Sequence, residues 1–193
     1  KKIHELKSAE SSSRIVRAKL RISSFFPMTP EVLRIHLGEA VEGTDADLFV
    51  FPETYVTGYM VRDRFVELAE DIDGDSVNYV MELADRTGKA VVFGMPLNDP
   101  CSHGLITNSA VLVTPDGRAQ RYDKLHPANF GPFEEGLYFT PGQSPAMFNF
   151  RGRGVGVCIC YDLFFPEITK AYAMQGADLL LCLAASPVTS RMP

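Results

Sequence analysis

The sequence predicts an α/β domain built around a covered sheet. Three observations carry that reading. The short apolar runs Asp47 to Pro52, Ala90 to Met95 and Asp178 to Ala184 have the length and character of strands buried on both faces. Segments with apolar residues at helical spacing alternate with them, starting near Thr29-Pro30, Asp75 and Pro166. Pro115-Asp116-Gly117 joins two strand-type runs as a tight turn, adding one antiparallel hairpin.

Composition bounds the answer. A chain of 193 residues with 46% hydrophobic composition suits one domain with a sizeable core. A formal net charge of −5 without a basic run argues against nucleic acid or anionic membrane as the main partner. No apolar stretch approaches the ~20 residues that span a bilayer. The four cysteines are Cys101, Cys158, Cys160 and Cys182, and three of them lie in apolar strand-like runs. That is not the spacing of a disulfide scaffold, so a cytoplasmic setting is expected. Neither the cysteines nor the four histidines show metal-ligand spacing.

The elements follow in order. Lys1 to Ser13 is polar and reads as a flexible leader, leaving 14–193 as the domain. Ile15 to Phe26 alternates, with Val16, Ala18, Leu20 and Ile22 opposite Arg17, Lys19 and Arg21, as a strand does. Thr29 and Pro30 open a helix whose apolar stripe is Val32, Leu33, Ile35 or His36, Leu37 and Ala40. The strand ending at Pro52 delivers Glu53, and Thr57-Gly58-Tyr59 follows as a loop. Arg64 to Glu70 is a short helix. Asp75 or Ser76 caps a longer one, with Val77, Val80, Met81 and Ala84 on one face and Gly88 at its end.

Thr107 to Thr114 and Arg118 to Lys124 are the hairpin arms. Leu125 to Gly142 is a Pro-, Gly- and Phe-rich loop, and loops of such length inside a domain are usually functional. Phe148 to Phe150 is a short strand. The run from Gly154 reaches Cys160, turns through Tyr161 and Asp162, and enters a helix from Pro166 to Gln175. A strand-to-helix turn holds a side chain clear of the sheet, with backbone N–H groups near enough to favour a thiolate.

Glu53, Lys124 and Cys160 each sit where an apolar strand runs into a loop, the place where open α/β sheets build their sites. Each alone has an ordinary reading: a turn residue, an exposed lysine, a core cysteine. Together, a thiol to attack a carbonyl-type carbon, a carboxylate to move protons and an ammonium to meet the oxyanion make one device.

Four segments resemble the nitrilase superfamily of carbon–nitrogen hydrolases: Phe-Pro-Glu-Thr-Tyr-Val-Thr-Gly-Tyr at 51–59, Tyr-Asp-Lys-Leu-His at 122–126, Phe-Glu-Glu-Gly-Leu-Tyr-Phe-Thr-Pro-Gly at 133–142 and Cys-Tyr-Asp-Leu-Phe-Phe-Pro-Glu at 160–167. The resemblance implies a four-layer α-β-β-α sandwich, here lacking its C-terminal part, because family members continue past the strand near Ala184. It implies a Glu53-Lys124-Cys160 triad, with Cys160 rather than Cys158 as nucleophile. Glu135 is the further glutamate that places lysine and substrate, with Glu134 as the competitor. Tyr59, Phe130, Phe133, Tyr161 and Ala185 are expected to line the substrate pocket. No metal or organic cofactor is implied, and a homodimer or higher homo-oligomer is. Ser23-Ser24 and Asp123 depart from the family pattern.

The expected activity is hydrolysis of an amide, ω-amide or N-carbamoyl amine through a cysteine thioester, with release of ammonia. The alternatives are a glutaminase module feeding a synthetase and a non-catalytic relative serving as a binding subunit. A third reading makes Cys158 and Cys160 a redox pair, since alternate residues of a straight strand point the same way.

Overall fold

The computed structural model describes residues 4–6, 15–17 and 30–185. Its elements are β1 (His4–Leu6), β2 (Ile15–Arg17), α1 (Pro30–Glu42), β3 (Leu48–Val50), α2 (Phe65–Leu68), α3 (Asp75–Thr87), β4 (Ala90–Asn98), β5 (Ile106–Val113), β6 (Ala119–Asp123), β7 (Met147–Phe150), β8 (Arg153–Ile159), α4 (Pro166–Met174) and β9 (Leu179–Leu183). Two sheets form. One is six-stranded in the order β1-β2-β3-β4-β5-β6, and the other is three-stranded in the order β7-β8-β9. Strands β2, β3 and β4 run parallel, whereas the β4–β5 and β5–β6 pairs are antiparallel. His4–Leu6, within the segment read as a leader, pairs antiparallel with β2. The rest of that segment and most of the strand expected over Ile15 to Phe26 lie outside the described residues.

Side-chain parity builds the layers. Phe49 and Phe51, with Val91 and Phe93 of β4, pack with Leu37 and Val41 of α1 and Val77, Val80, Leu83 and Ala84 of α3. The opposite parity, Leu48, Ala90, Val92, Ala110, Leu112 and Tyr122, meets Phe148, Val155, Val157, Ile159 and Leu183 of the second sheet. The outer face of that sheet, at Cys158, packs on Ile168 and Tyr172 of α4. The order is therefore helices, sheet, sheet, helix. Single-strand periodicity does not announce this, because both faces of the central strands are apolar.

Three local expectations change. Ile35 is 57% exposed and His36 is exposed, so the inward stripe of α1 runs through Leu37 and Val41. Gly74 occupies the cap of α3, and Glu70 takes the capping role from outside by accepting from Ser76 N at 2.8 Å and Ser76 Oγ at 2.6 Å. β9 is not buried throughout, since Leu180 stands exposed.

Candidate active site

The site lies at one end of the interface between the sheets. β3 carries the chain into it. Phe51 N–H still pairs with Val92 O, and then the backbone turns at Thr54, whose φ is 45°. Glu53 is left 1% exposed. Gly94 on β4 makes this approach feasible: a Cβ there would lie 2.5 Å from Thr54 N and 2.6 Å from Glu53 Cα, too close for any side chain. From the hairpin, the ladder continues past β6 through Lys124 N–H to Asn108 O at 2.8 Å. Lys124 shares the inward parity of Tyr122, and its ammonium ends up 1% exposed.

That ammonium is held by two carboxylates. Nζ is 2.8 Å from Glu53 Oε1 and 2.8 Å from both oxygens of Glu135. Glu135 sits in a 3₁₀ turn over Glu135–Leu137 and is buried, whereas Glu134 is exposed. Geometry thus puts Glu135, not Glu134, on the lysine. Its carboxylate also accepts from Tyr59 Oη at 2.6 Å and Ala128 N at 2.8 Å. Glu53 Oε1 accepts from Asn108 Nδ2 at 2.8 Å, and Oε2 from Ala185 N at 2.9 Å. Burial pulls the Lys124 ammonium down, but the two carboxylates outweigh it and hold the lysine above its usual value. Burial pushes the Glu53 carboxyl up, Lys124 pulls against it, and Glu135 adds to the push.

Cys160 arrives from the second sheet. Its φ is 47°, so the strand ends there and a 3₁₀ turn over Cys160–Phe164 begins. This break overturns the straight-strand geometry expected for Cys158 and Cys160. Cys158 faces α4, whereas Cys160 packs toward the interface between the sheets. The register partner of Cys158 is Cys182 on β9. Burial, then the hydrogen bond and charge of Glu135, and after them Glu53 and Cys160, push the Tyr59 hydroxyl well up.

The turn after Cys160 is fixed by Asp162, which is fully buried. Oδ2 accepts from Tyr122 Oη at 2.7 Å and Ile159 N at 3.0 Å. Oδ1 accepts from His126 N at 2.8 Å, with His126 Nδ1 at 3.2 Å. Burial and then the Asp162 charge push the Tyr122 phenol well up, so it stays a donor. Asp162 therefore ties the Cys160 turn to the chain on both sides of Lys124.

The residues expected to line the pocket do gather here. Tyr59 meets Phe133 edge-on at 6.0 Å, Phe133 meets Phe130 at 5.3 Å, and Phe130 meets Tyr161 at 4.8 Å. Phe130 remains half exposed. Two of the five have other attachments: the Tyr59 hydroxyl is bound to Glu135, and the Ala185 amide is bound to Glu53. Asp123 points away from the site, where Oδ1 accepts from Ser109 at 2.6 Å, Thr107 at 3.0 Å and Arg121 at 2.7 Å. Asn108 and Asp162 were missed by sequence reasoning as site residues. The polar triplet Thr107-Asn108-Ser109 inside a buried strand was the available signal. Among the described residues, no cluster of three or more His, Cys, Asp or Glu is placed to hold a metal ion. No described helix is long and apolar enough to cross a membrane.

Comparison with known proteins agrees with this architecture. The family profile described as carbon–nitrogen hydrolase matches residues 14–193. The chain belongs to that family, within the nitrilase superfamily. It is 36% identical over 137 residues to an (R)-stereoselective amidase of a Pseudomonas species, covering 71% of this chain and 47% of the relative. A crystal structure of an amidase from Nesterenkonia sp. superposes with a TM-score of 0.71 at 26% identity, covering 85% of this chain and 62% of that one. A variant of that amidase carries the product of Michael addition of acrylamide at its active-site cysteine. The glutamine-dependent NAD+ synthetase of Acinetobacter baumannii matches with a TM-score of 0.69 at 25% identity, covering 84% of this chain and 31% of that one. The chain spans about half the length of the curated relatives it matches.

Proposed function

We propose that this site hydrolyses a small non-peptide amide, ω-amide or N-carbamoyl amine through a thioester on Cys160. The carrying observation is the buried ammonium of Lys124, gripped by Glu53 and Glu135 at 2.8 Å beside the Cys160 turn. Glu53 accepts the thiol proton as Sγ attacks the carbonyl-type carbon. Lys124 stabilises the oxyanion, together with the backbone N–H of Tyr161. Glu53 then passes its proton to the departing nitrogen, so that ammonia or an amine leaves and the thioester remains. Water deprotonated by Glu53 cleaves the thioester and restores the thiol. Glu135 keeps Lys124 oriented, and the wall of Tyr59, Phe133, Phe130 and Tyr161 offers the substrate an apolar side.

The test is ammonia release from a panel of short amides, ω-amides, glutamine and N-carbamoyl amines, comparing parent with Cys160→Ala. Loss of release in the variant, with acrylamide labelling at Cys160 in the parent, is the expected result. Undiminished release from Cys160→Ala refutes the reading. The likeness to the NAD+ synthetase favours a second reading, a glutaminase module, which a response confined to glutamine selects. Soluble assembly as a homo-oligomer in the cytoplasm belongs to the same proposal, and sedimentation tests the oligomer.

A further inference from the structure

Asn108 is a buried polar side chain at this site to which the proposed chemistry gives no task. It lies on β5 beside the end of β6, 1% exposed. Its Nδ2 donates to Glu53 Oε1 at 2.8 Å, the same oxygen that Lys124 Nζ reaches at 2.8 Å. Its backbone oxygen accepts the Lys124 N–H at 2.8 Å. One residue therefore fixes the strand register of the lysine and the side chain of the glutamate. Its Oδ1 has no hydrogen-bond partner among the described residues. A buried acceptor left unpaired costs free energy. The amide is held this way round because turning it would press its oxygen against a carboxylate oxygen.

We infer that Asn108 is a positioning residue that holds Glu53 Oε1 toward Lys124 and favours the charged form of Glu53. The inference rests on Glu53 acting as the acid–base group. A hydrogen bond donated to a carboxylate favours its ionised state. The balance at Glu53 has opposing members. Burial and Glu135 favour the proton, and Lys124 and the Ala185 N–H favour the charge. The Tyr59 hydroxyl and the Cys182 thiol also sense the Glu53 charge. Lys124 cannot serve Glu53 alone, because it also binds Glu135. Asn108 contributes a donor without contributing a charge.

The experiment is a pH titration of the Glu53 carboxyl by difference infrared spectroscopy, assigned through loss of the band in Glu53→Gln. It is run on the parent, Asn108→Ala and Asn108→Asp, alongside the pH profile of hydrolysis and thermal melts. Asn108→Ala should raise the protonation midpoint by about one pH unit, the scale of one hydrogen bond to a charged group. Asn108→Asp should raise it further, since it replaces a donor with a second carboxylate. The backbone bond to Lys124 survives in both variants. Midpoints unmoved in both variants, even with lowered melting temperatures, overturn the inference and leave Asn108 a packing residue. Midpoints that move while the acid limb of hydrolysis stays in place support Asn108 as the tuner and count against Glu53 as the base.

Discussion

Glu53 and Asp162 are two buried carboxylates at the ends of facing strands, and their surroundings differ in kind. Glu53 meets a cation, a second carboxylate, one amide side chain and one backbone N–H. Asp162 meets a phenol, two backbone N–H groups and the half-exposed His126 ring. The first arrangement leaves a proton to be gained or lost, because burial and charge pull in opposite directions. The second saturates the carboxylate with donors and spends it on geometry. Burial alone does not mark a chemical group; the partners decide.

The comparison can be broken in order of expected effect. Cys160→Ala should reduce turnover on the order of 10⁴-fold or more if the thiol is the nucleophile, judging by other hydrolytic triads. Cys158→Ala, on the outer face, should leave most of the activity; the reverse ranking in a steady-state assay would exchange the two roles.

Lys124→Met should lower turnover by roughly 10²–10³-fold, as loss of an oxyanion donor does. It should also lower stability by about 3–5 kcal/mol near neutral pH, because two carboxylates lose their buried partner. The sign follows from linkage. With its folded-state pKa raised by burial, Glu53 holds a proton more tightly in the folded chain than in the unfolded one. The variant should therefore regain stability as pH falls through the raised Glu53 value. Urea titrations at several pH values read this directly, and a pH-independent deficit would contradict it.

Asp162→Asn should show the opposite pairing of effects. It strands donors from Tyr122, Ile159 and His126, so a stability loss of about 2 kcal/mol or more is expected. Turnover should fall only as far as the Cys160 turn shifts. A variant with normal stability and no activity would make Asp162 chemical after all. The parent should lose activity on the acid side with a midpoint above the ordinary glutamate value of 4.5, because burial raises Glu53. Tyr59→Phe should be milder than the changes at Cys160 and Lys124, roughly a tenfold loss, the worth of one hydrogen bond to a charged group.

Much of this was legible in the sequence. The strands at 47–52 and 90–95 declared themselves because they are apolar on both faces, and Glu53, Lys124 and Cys160 stood out as reactive types at strand ends. The pairing of two sheets did not, since a strand covered on both faces looks the same whether a helix or a second sheet covers it. Ile35 misled because its hydrophobicity says nothing of where its helix faces. Glu70 as the remote cap of α3 could not be read, because the contact depends on how the chain folds back. Cys158 and Cys160 could not be separated by periodicity, because alternation fails at a φ of 47° that no pattern records.

The bond from Ala185 N–H to Glu53 Oε2 spans 132 positions of sequence. During synthesis at about 5–20 residues per second, Ala185 leaves the ribosome roughly 7–26 s after Glu53. For that interval the carboxylate lacks its backbone N–H partner, and the strand that leads to Cys160 lacks its parallel neighbour β9. A nascent chain with a prematurely reactive thiol would be open to cellular electrophiles. Here the segment that follows β9 emerges after Glu53, Lys124 and the Cys160 turn, so the order of translation itself delays the final setting of the glutamate.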